Sequence, residues 1–219
     1  MTNLNTKYLK NYTPSNYLVE SIHLTFNINS DNVSVTSKTK YYKNKQQSAT
    51  PNTLTLDGSA ELVGIKLNDT AVTKYSLNDN TLILDNLPDE FTLDITTTLD
   101  PWHNQTFMGL YATKGGHMTQ CEPEGFRKIT YYLDRPDVMA IYTTTIIADS
   151  TKYPVLLSNG NKIKDTSSGN IKTVTWHDPY KKPSYLFALV AGDFEILCDT
   201  YTTKSGRKVA LEIYASADN

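Results

Sequence analysis

The sequence predicts an all-β, mostly antiparallel protein with very little helix. Three observations carry this: apolar and polar residues alternate strictly over several stretches, clusters of Asn, Asp, Ser, Gly and Pro punctuate them, and no stretch of helical period competes. Such alternation gives each strand one buried face, as in antiparallel sheets packed on one side. At 219 residues, 39% of them hydrophobic, the chain is long enough for one large β domain, or for one domain and the beginning of another.

Residues 1–17 are polar and Asn-rich and read as an extended arm that Tyr8, Tyr12 and Tyr17 pin to the domain. From Ser21 onward Ile22, Leu24, Phe26 and Ile28 face one way and His23, Thr25 and Asn27 the other, so His23 faces out of a half-buried strand. The turn cluster Asn29-Ser30-Asp31-Asn32 leads into a second alternating run, Val33, Val35, Ser37, Thr39 and Tyr41, which completes a first hairpin. Residues 40–45 interleave lysine with tyrosine; lysines guarding a strand edge account for this better than a nucleic-acid patch, because the chain has no basic excess. Further strands are expected at 54–56, 62–67, 81–84 and 91–95, with turns at 68–69, 78–80 and 86–89.

Residues 101–116 read as irregular, and Lys114-Gly115-Gly116 as a plain loop, since a phosphate loop needs a following lysine and a helix behind it. Residues 138–147, 155–157, 171–176 and 185–190 are the next strands, the last apolar without alternation and so expected to be central and buried on both faces. Hairpin turns are expected at 159–160 and 167–170, and a longer bend at Asp178-Pro179 and Lys182-Pro183. Gly192-Asp193 ends the run, and 195–201 with 209–214 form a last hairpin through 204–207.

A formal net charge of -2 argues against nucleic acid or an anionic membrane as partner. Two cysteines, Cys121 and Cys198, indicate no disulfide framework and fit a reducing cytoplasm. Residues 1–20 lack an apolar secretory core, and the longest apolar stretch, 185–191, is too short to span a bilayer, so a cytoplasmic protein without a membrane anchor is expected.

The stretch most suggestive of chemistry is 119–137. Gln120, Glu122 and Glu124 fall within five residues, and Pro123 and Gly125 argue for a shaped loop there. Gln120 and Glu122 pointing the same way would form an anionic, hydrogen-bonding cup for a cationic group. A solvated acidic turn is the alternative. Phe126, Ile129, Tyr131, Tyr132 and Leu133 supply the apolar anchor such a loop needs, and Arg135 reads as structural, paired with nearby carboxylates. Cys121 is a poor nucleophile candidate, because the adjacent Glu122 raises a thiol pKa. His23, His103, His117 and His177 contain no H-E-x-x-H pair, His177-Asp178 has no nucleophile beside it, and G-x-S-x-G is absent. Neither a catalytic residue nor a metal site is expected.

The run TQCEPEGFRKITYYLDRPDV at 119–138 resembles the signature of the bacterial aminopeptidase N family, the alanyl aminopeptidases among the zinc metallopeptidases. The likeness continues through TTTIIAD at 143–149, KYP at 152–154, LLSNGN at 156–161 and YLFALVAGDF at 185–194, and more weakly at 24–26 and 86–88. Pro123 departs from the small residue that many relatives carry. The resemblance implies an antiparallel β-sandwich or saddle-like N-terminal domain over 1–193, with 194–219 opening a truncated zinc-bearing catalytic domain. It implies that Gln120 and Glu122 bind the free amino group of a peptide substrate. The whole enzyme would be a zinc metalloaminopeptidase of the membrane alanyl aminopeptidase type. Zinc would sit in the full-length parent and not in this chain, which lacks both H-E-x-x-H and the family's G-A-M-E-N loop and should be inactive alone. The partners implied are the N-terminus of a peptide and the enzyme's own catalytic domain. A related but non-catalytic β-sandwich binding or assembly module is the alternative; a secreted sugar-binding adhesin would call for an export signal.

Overall fold

Side chains that alternate in sequence alternate across a strand, and the computed structural model, which describes residues 8–28, 32–46, 51–78 and 80–216, is built from such strands. In chain order they are β1 (Tyr17–Ile28), β2 (Val33–Lys43), β3 (Leu54–Asp57), β4 (Glu61–Leu67), β5 (Thr70–Ala71), β6 (Ser76–Asn78), β7 (Thr81–Leu84) and β8 (Glu90–Leu99). The second half adds β9 (Gly109–Thr113), β10 (Gly116–Gln120), β11 (Met139–Asp149), β12 (Val155–Ser158), β13 (Asn161–Ser168), β14 (Ile171–Pro183), β15 (Leu189–Gly192), β16 (Glu195–Thr202) and β17 (Lys208–Ala215). Three short 3-10 turns, Leu9–Asn11, Phe126–Lys128 and Ser184–Leu186, are the only helical elements among the described residues, and none is long and apolar enough to cross a membrane. The expected all-β class is what the chain adopts.

An eight-stranded sheet runs β13-β14-β11-β1-β2-β8-β4-β5, beside a four-stranded sheet β12-β15-β10-β9, a three-stranded sheet β3-β7-β6 and the pair β16-β17. Ile22, Leu24 and Phe26 of β1, Val33 and Val35 of β2 and Leu93 of β8 are buried on one face of the large sheet. Leu54, Leu56 and Leu82 of the three-stranded sheet and Leu156, Leu189 and Ala191 of the four-stranded sheet join them in one hydrophobic cluster. Truncating a fully buried Phe26 or Phe126 in such a core costs about 3–5 kcal/mol. His23 faces outward as expected, its Nε2 2.9 Å from Thr145 Oγ1.

Several expectations need correction. β1 and β11 pair in parallel, Ser21 opposite Ile141 through Ile28 opposite Ala148. β1 already holds β2 on its other side, and the chain between β2 and β11 is the long crossover that a parallel pair requires. The irregular reading of 101–116 misses β9, which forms a hairpin with β10, Thr113 opposite Gly116. β13 is hidden by its composition: every residue of NKIKDTSS is exposed, so no apolar alternation marks it. β5 and β6 are two and three exposed residues long and carry no pattern either. The 167–170 turn does join β13 to β14, but 159–160 joins strands of different sheets and is no hairpin. β14 runs straight through Pro179 to Pro183, in place of the expected bend. Its neighbour β13 ends opposite His177, so both prolines lie where one edge of β14 is free, and the register slips between Ala140 and Tyr142.

The 185–190 run also differs: Ser184–Leu186 is a 3-10 turn, Leu186 is exposed, and the strand begins at Leu189. Its central position is as expected, since β15 lies between β12 and β10. In the arm, residues 1–7 lie outside the described residues, as do 29–31 of the first turn and Asp79. Tyr12 Oη donates to Asp137 Oδ2 at 2.8 Å, and Tyr17, already in β1, is buried with its hydroxyl on the Leu87 and Pro88 carbonyls. β16 and β17 pair with each other, Glu195 opposite Ala215, and leave Leu197 and Ile213 exposed.

Candidate functional site

The loop after β10 is held at both ends by hydrogen bonds. Thr119 is locked to β15 by its hydroxyl, which accepts from Leu189 N–H at 2.8 Å and donates to Leu189 O at 3.3 Å. Gln120 is the last residue of β10, opposite Gly109. The chain then reverses through a cis Glu122–Pro123 peptide, and Gly125 N–H donates to Cys121 O at 2.8 Å. A Cβ on Gly125 would stand 2.1 Å from Gln120 O, so only glycine permits this closure. Phe126 is fully buried behind it, its ring 5.0 Å from Tyr132 and 5.4 Å from Phe187. Tyr132 is tied to the end of β3 by reciprocal 2.9 Å bonds between its backbone and that of Asp57.

Cys121 points into the core while Gln120, Glu122 and Glu124 stay exposed. Burial, reinforced by Asp134, pushes the Cys121 thiol far up, so the expectation of an unreactive thiol holds for a different cause than the neighbouring Glu122. Gln120, Glu122 and Glu124 line an open cavity of about 680 Å³ that they share with Arg135, Pro136 and Tyr185.

The three acceptor residues are not equivalent. Glu124 lies 3.4 Å from Arg127 Nη1. Gln120 uses its amide Nε2 to donate to the Glu122 backbone carbonyl at 3.1 Å, which orients its Oε1. Among the described residues the Glu122 carboxylate and Gln120 Oε1 have neither hydrogen bond nor ion pair. The pair predicted from sequence is therefore brought together with its acceptors free.

Arg127 is the charge hub beneath the loop. Its Nε lies 2.9 Å from Asp134 Oδ2, its backbone N–H donates to the same oxygen at 3.2 Å, and Nη2 reaches Asp134 O at 3.0 Å and Asp57 at 3.7 Å. The Asp134 carboxylate is 1% exposed, and its other oxygen accepts from Ser184 Oγ. Burial pushes the Asp57 carboxyl above the usual range, with the Arg127 guanidinium opposing it. Arg135 is structural as expected: it makes two bonds of 2.8 and 2.7 Å to Asp137, a third to Thr13 O, and lies over the Tyr12 ring. Sequence reading missed Arg127, Ser184 and Tyr185, and counted Asp134 only among the carboxylates near Arg135. The available signal was a charged pair, Arg127 and Asp134, embedded among buried aromatics; Ser184 and Tyr185 had none, being about fifty residues away, Ser184 just after the expected bend and Tyr185 in a run read as strand.

Zinc does not fit these residues. Among the described residues no group of three or more His, Cys, Asp or Glu could hold a metal ion. His23 bonds Thr145, His103 bonds Asp100, His177 bonds Thr143, and His117 is buried between Trp102 and Tyr153, each on a different element.

Comparison with known proteins converges on one group. The Peptidase M1 N-terminal domain family matches residues 4–186. The chain is 45% identical over 215 residues to aminopeptidase N of Escherichia coli K12, and 46% identical over 221 residues to that of Haemophilus influenzae. Both alignments cover 97% of this chain but only 24% and 25% of those proteins, so the chain spans about a quarter of their length. The crystal structure of Legionella pneumophila aminopeptidase A in complex with aspartic acid superposes with a TM-score of 0.92 at 37% identity, covering 97% of this chain and 25% of that one. An M1 zinc metallopeptidase from Deinococcus radiodurans, at 14% identity and a TM-score of 0.75, shares the fold.

Proposed function

Because the chain belongs to the peptidase M1 N-terminal domain family, we propose that it is the amino-group recognition part of a longer zinc aminopeptidase, with Gln120 and Glu122 as the site. The observation that carries this reading is the selective freedom of the two acceptors: Arg127 occupies Glu124, while Gln120 Oε1 and the Glu122 carboxylate stay unpaired at one cavity. An α-ammonium group has three donors and one charge, and a carboxylate with a neighbouring amide oxygen matches it through charge-assisted hydrogen bonds. Holding the free N-terminus at one point fixes how far the first peptide bond lies from it, which favours removal of single residues over internal cleavage. Zinc, held by the remainder of the enzyme, would supply the activated water for that cleavage. This chain's residues bind and orient.

In this reading the domain boundary falls near Asp193-Phe194, and β16 with β17 opens the catalytic domain. Peptides with a free N-terminus as substrates, a cytoplasmic setting and the absence of nucleic-acid or membrane partners belong to the same proposal. The test is Glu122→Ala in the full-length enzyme. Loss of a charged partner at a desolvated site costs about 2–5 kcal/mol, so kcat/KM should fall roughly thirty-fold to several thousand-fold, and Gln120→Ala should cost less. A variant that folds, holds zinc and cleaves alanyl substrates with near wild-type efficiency would reduce the loop to an acidic turn.

A further inference from the structure

The cavity beside Glu122 has an apolar part that the amino-group reading does not use. Pro123, Pro136 and Tyr185 line it together with the free acceptors of Gln120 and Glu122. Tyr185 stands in the 3-10 turn Ser184–Leu186, and that turn is held at both ends. Ser184 Oγ donates to the buried Asp134 carboxylate. Leu186 O accepts from Asn159 Nδ2 at 3.1 Å, and Asn159 Oδ1 takes the Ala188 N–H at 2.7 Å. Phe187 is buried, 5.9 Å from Phe26 and 5.4 Å from Phe126. Tyr185 alone in this turn presents a half-buried ring to the cavity, and its hydroxyl has no hydrogen-bond partner among the described residues.

A half-buried ring on a held turn that neither belongs to the core cluster nor makes a hydrogen bond among the described residues has no evident structural task. In an α-amino acid residue the ammonium and the side chain leave the same carbon. A site that captures the ammonium at Glu122 therefore brings the first side chain to the nearest apolar surface of the same cavity. We propose that Tyr185 is a specificity-determining residue, the wall against which the side chain of the substrate's first residue packs, favouring bulky apolar and aromatic side chains over small ones. The proposal rests on the amino-group reading. The physical basis is packing against the ring, to which a large apolar or aromatic side chain brings more contact area than a methyl group.

The experiment uses the full-length enzyme and measures kcat/KM for alanyl, leucyl and phenylalanyl anilides in Tyr185→Phe, Tyr185→Leu, Tyr185→Ala and Glu122→Gln, with melting temperatures alongside. In Tyr185→Ala the leucyl and phenylalanyl values should fall about tenfold relative to the alanyl value, which is the scale of discrimination an apolar pocket provides. Tyr185→Phe keeps the ring and should keep the wild-type ratio, and Tyr185→Leu should lower the phenylalanyl value relative to the leucyl one. An unchanged ratio across the Tyr185 series, or an equal loss for all three substrates, overturns the proposal. If Tyr185→Ala does not fold, the Phe and Leu variants decide it by the same ratios. Glu122→Gln separates the two claims: near wild-type efficiency there removes the amino-group reading itself, whereas a collapse on all three substrates with an unmoved Tyr185 ratio removes only the inference about Tyr185.

Discussion

Arg127→Met should markedly destabilise the region beneath the loop, although Arg127 has no place in the cavity. The Asp134 carboxylate is 1% exposed, and its only cationic partner within salt-bridge distance among the described residues is Arg127, at 2.9 Å. Methionine fills much of the apolar volume of the arginine stem but removes the charge and the side-chain donors, so a buried anion is left with the Arg127 backbone N–H and the Ser184 hydroxyl. Breaking a buried pair from one side costs about 3–5 kcal/mol, and since the Arg127 side chain is itself 24% exposed the lower end applies, about 3 kcal/mol. For a chain of this size that is a fall in Tm of roughly 6–12 °C. Urea denaturation should show the midpoint moving with the slope unchanged. Asp134→Asn combined with Arg127→Met should recover part of the loss, because no charge is then left buried and unpaired. A loss below about 1 kcal/mol, the scale of an exposed surface pair, would refute the hub assignment.

Gly125→Ala should displace the loop, because the added methyl would overlap Gln120 O; if kcat/KM and Tm are both unchanged in the full-length enzyme, the closure is not the constraint argued above. Burial acts to raise the Asp137 carboxyl, but hydrogen bonds from Arg135 and Tyr12 outweigh it and hold the carboxyl below the usual aspartate range. The stability this contributes is complete above the unfolded value of about 3.9 and is lost as pH falls through the depressed folded value, releasing Tyr12; NMR resonances of the Tyr12 ring that stay still through an acid titration would refute it. Burial lowers His117, so its folded form prefers the neutral ring and stability should decline as pH falls below about 6.5, a slope that His117→Phe should flatten in urea titrations at several pH values. Under native conditions a thiol reagent should modify exposed Cys198 readily and buried Cys121 only on unfolding, a difference that mass spectrometry of the labelled peptides will report.

The features legible in the amino-acid sequence alone are those encoded locally. Alternation along 22–28, 33–41 and 91–95 specifies half-buried strands because side chains in an extended chain point to opposite faces, and that holds whatever the partner strand turns out to be. The closeness of Gln120 and Glu122 was legible for the same reason: two residues apart at the end of β10, they stay near each other, and Gln120 reaches the Glu122 carbonyl without help from elsewhere, while their role as an amino-group site is the proposal made above. β13 and β9 were not legible, because an exposed edge strand and a glycine-bounded hairpin bury too little to leave an apolar period. Nor was the parallel pairing of β1 with β11, since a strand's own pattern says which face is buried and nothing about which neighbour runs alongside. Which carboxylates are spent and which are free is settled by the folded arrangement and by nothing shorter in range. Arg127 takes Glu124 and Asp134, and Ser184, fifty residues further along the chain, closes on Asp134 and sets Tyr185 beside the loop. Charge pairing depends on distances through space, and those distances are set by a core that Phe26, Phe126 and Phe187 assemble from three separated parts of the chain.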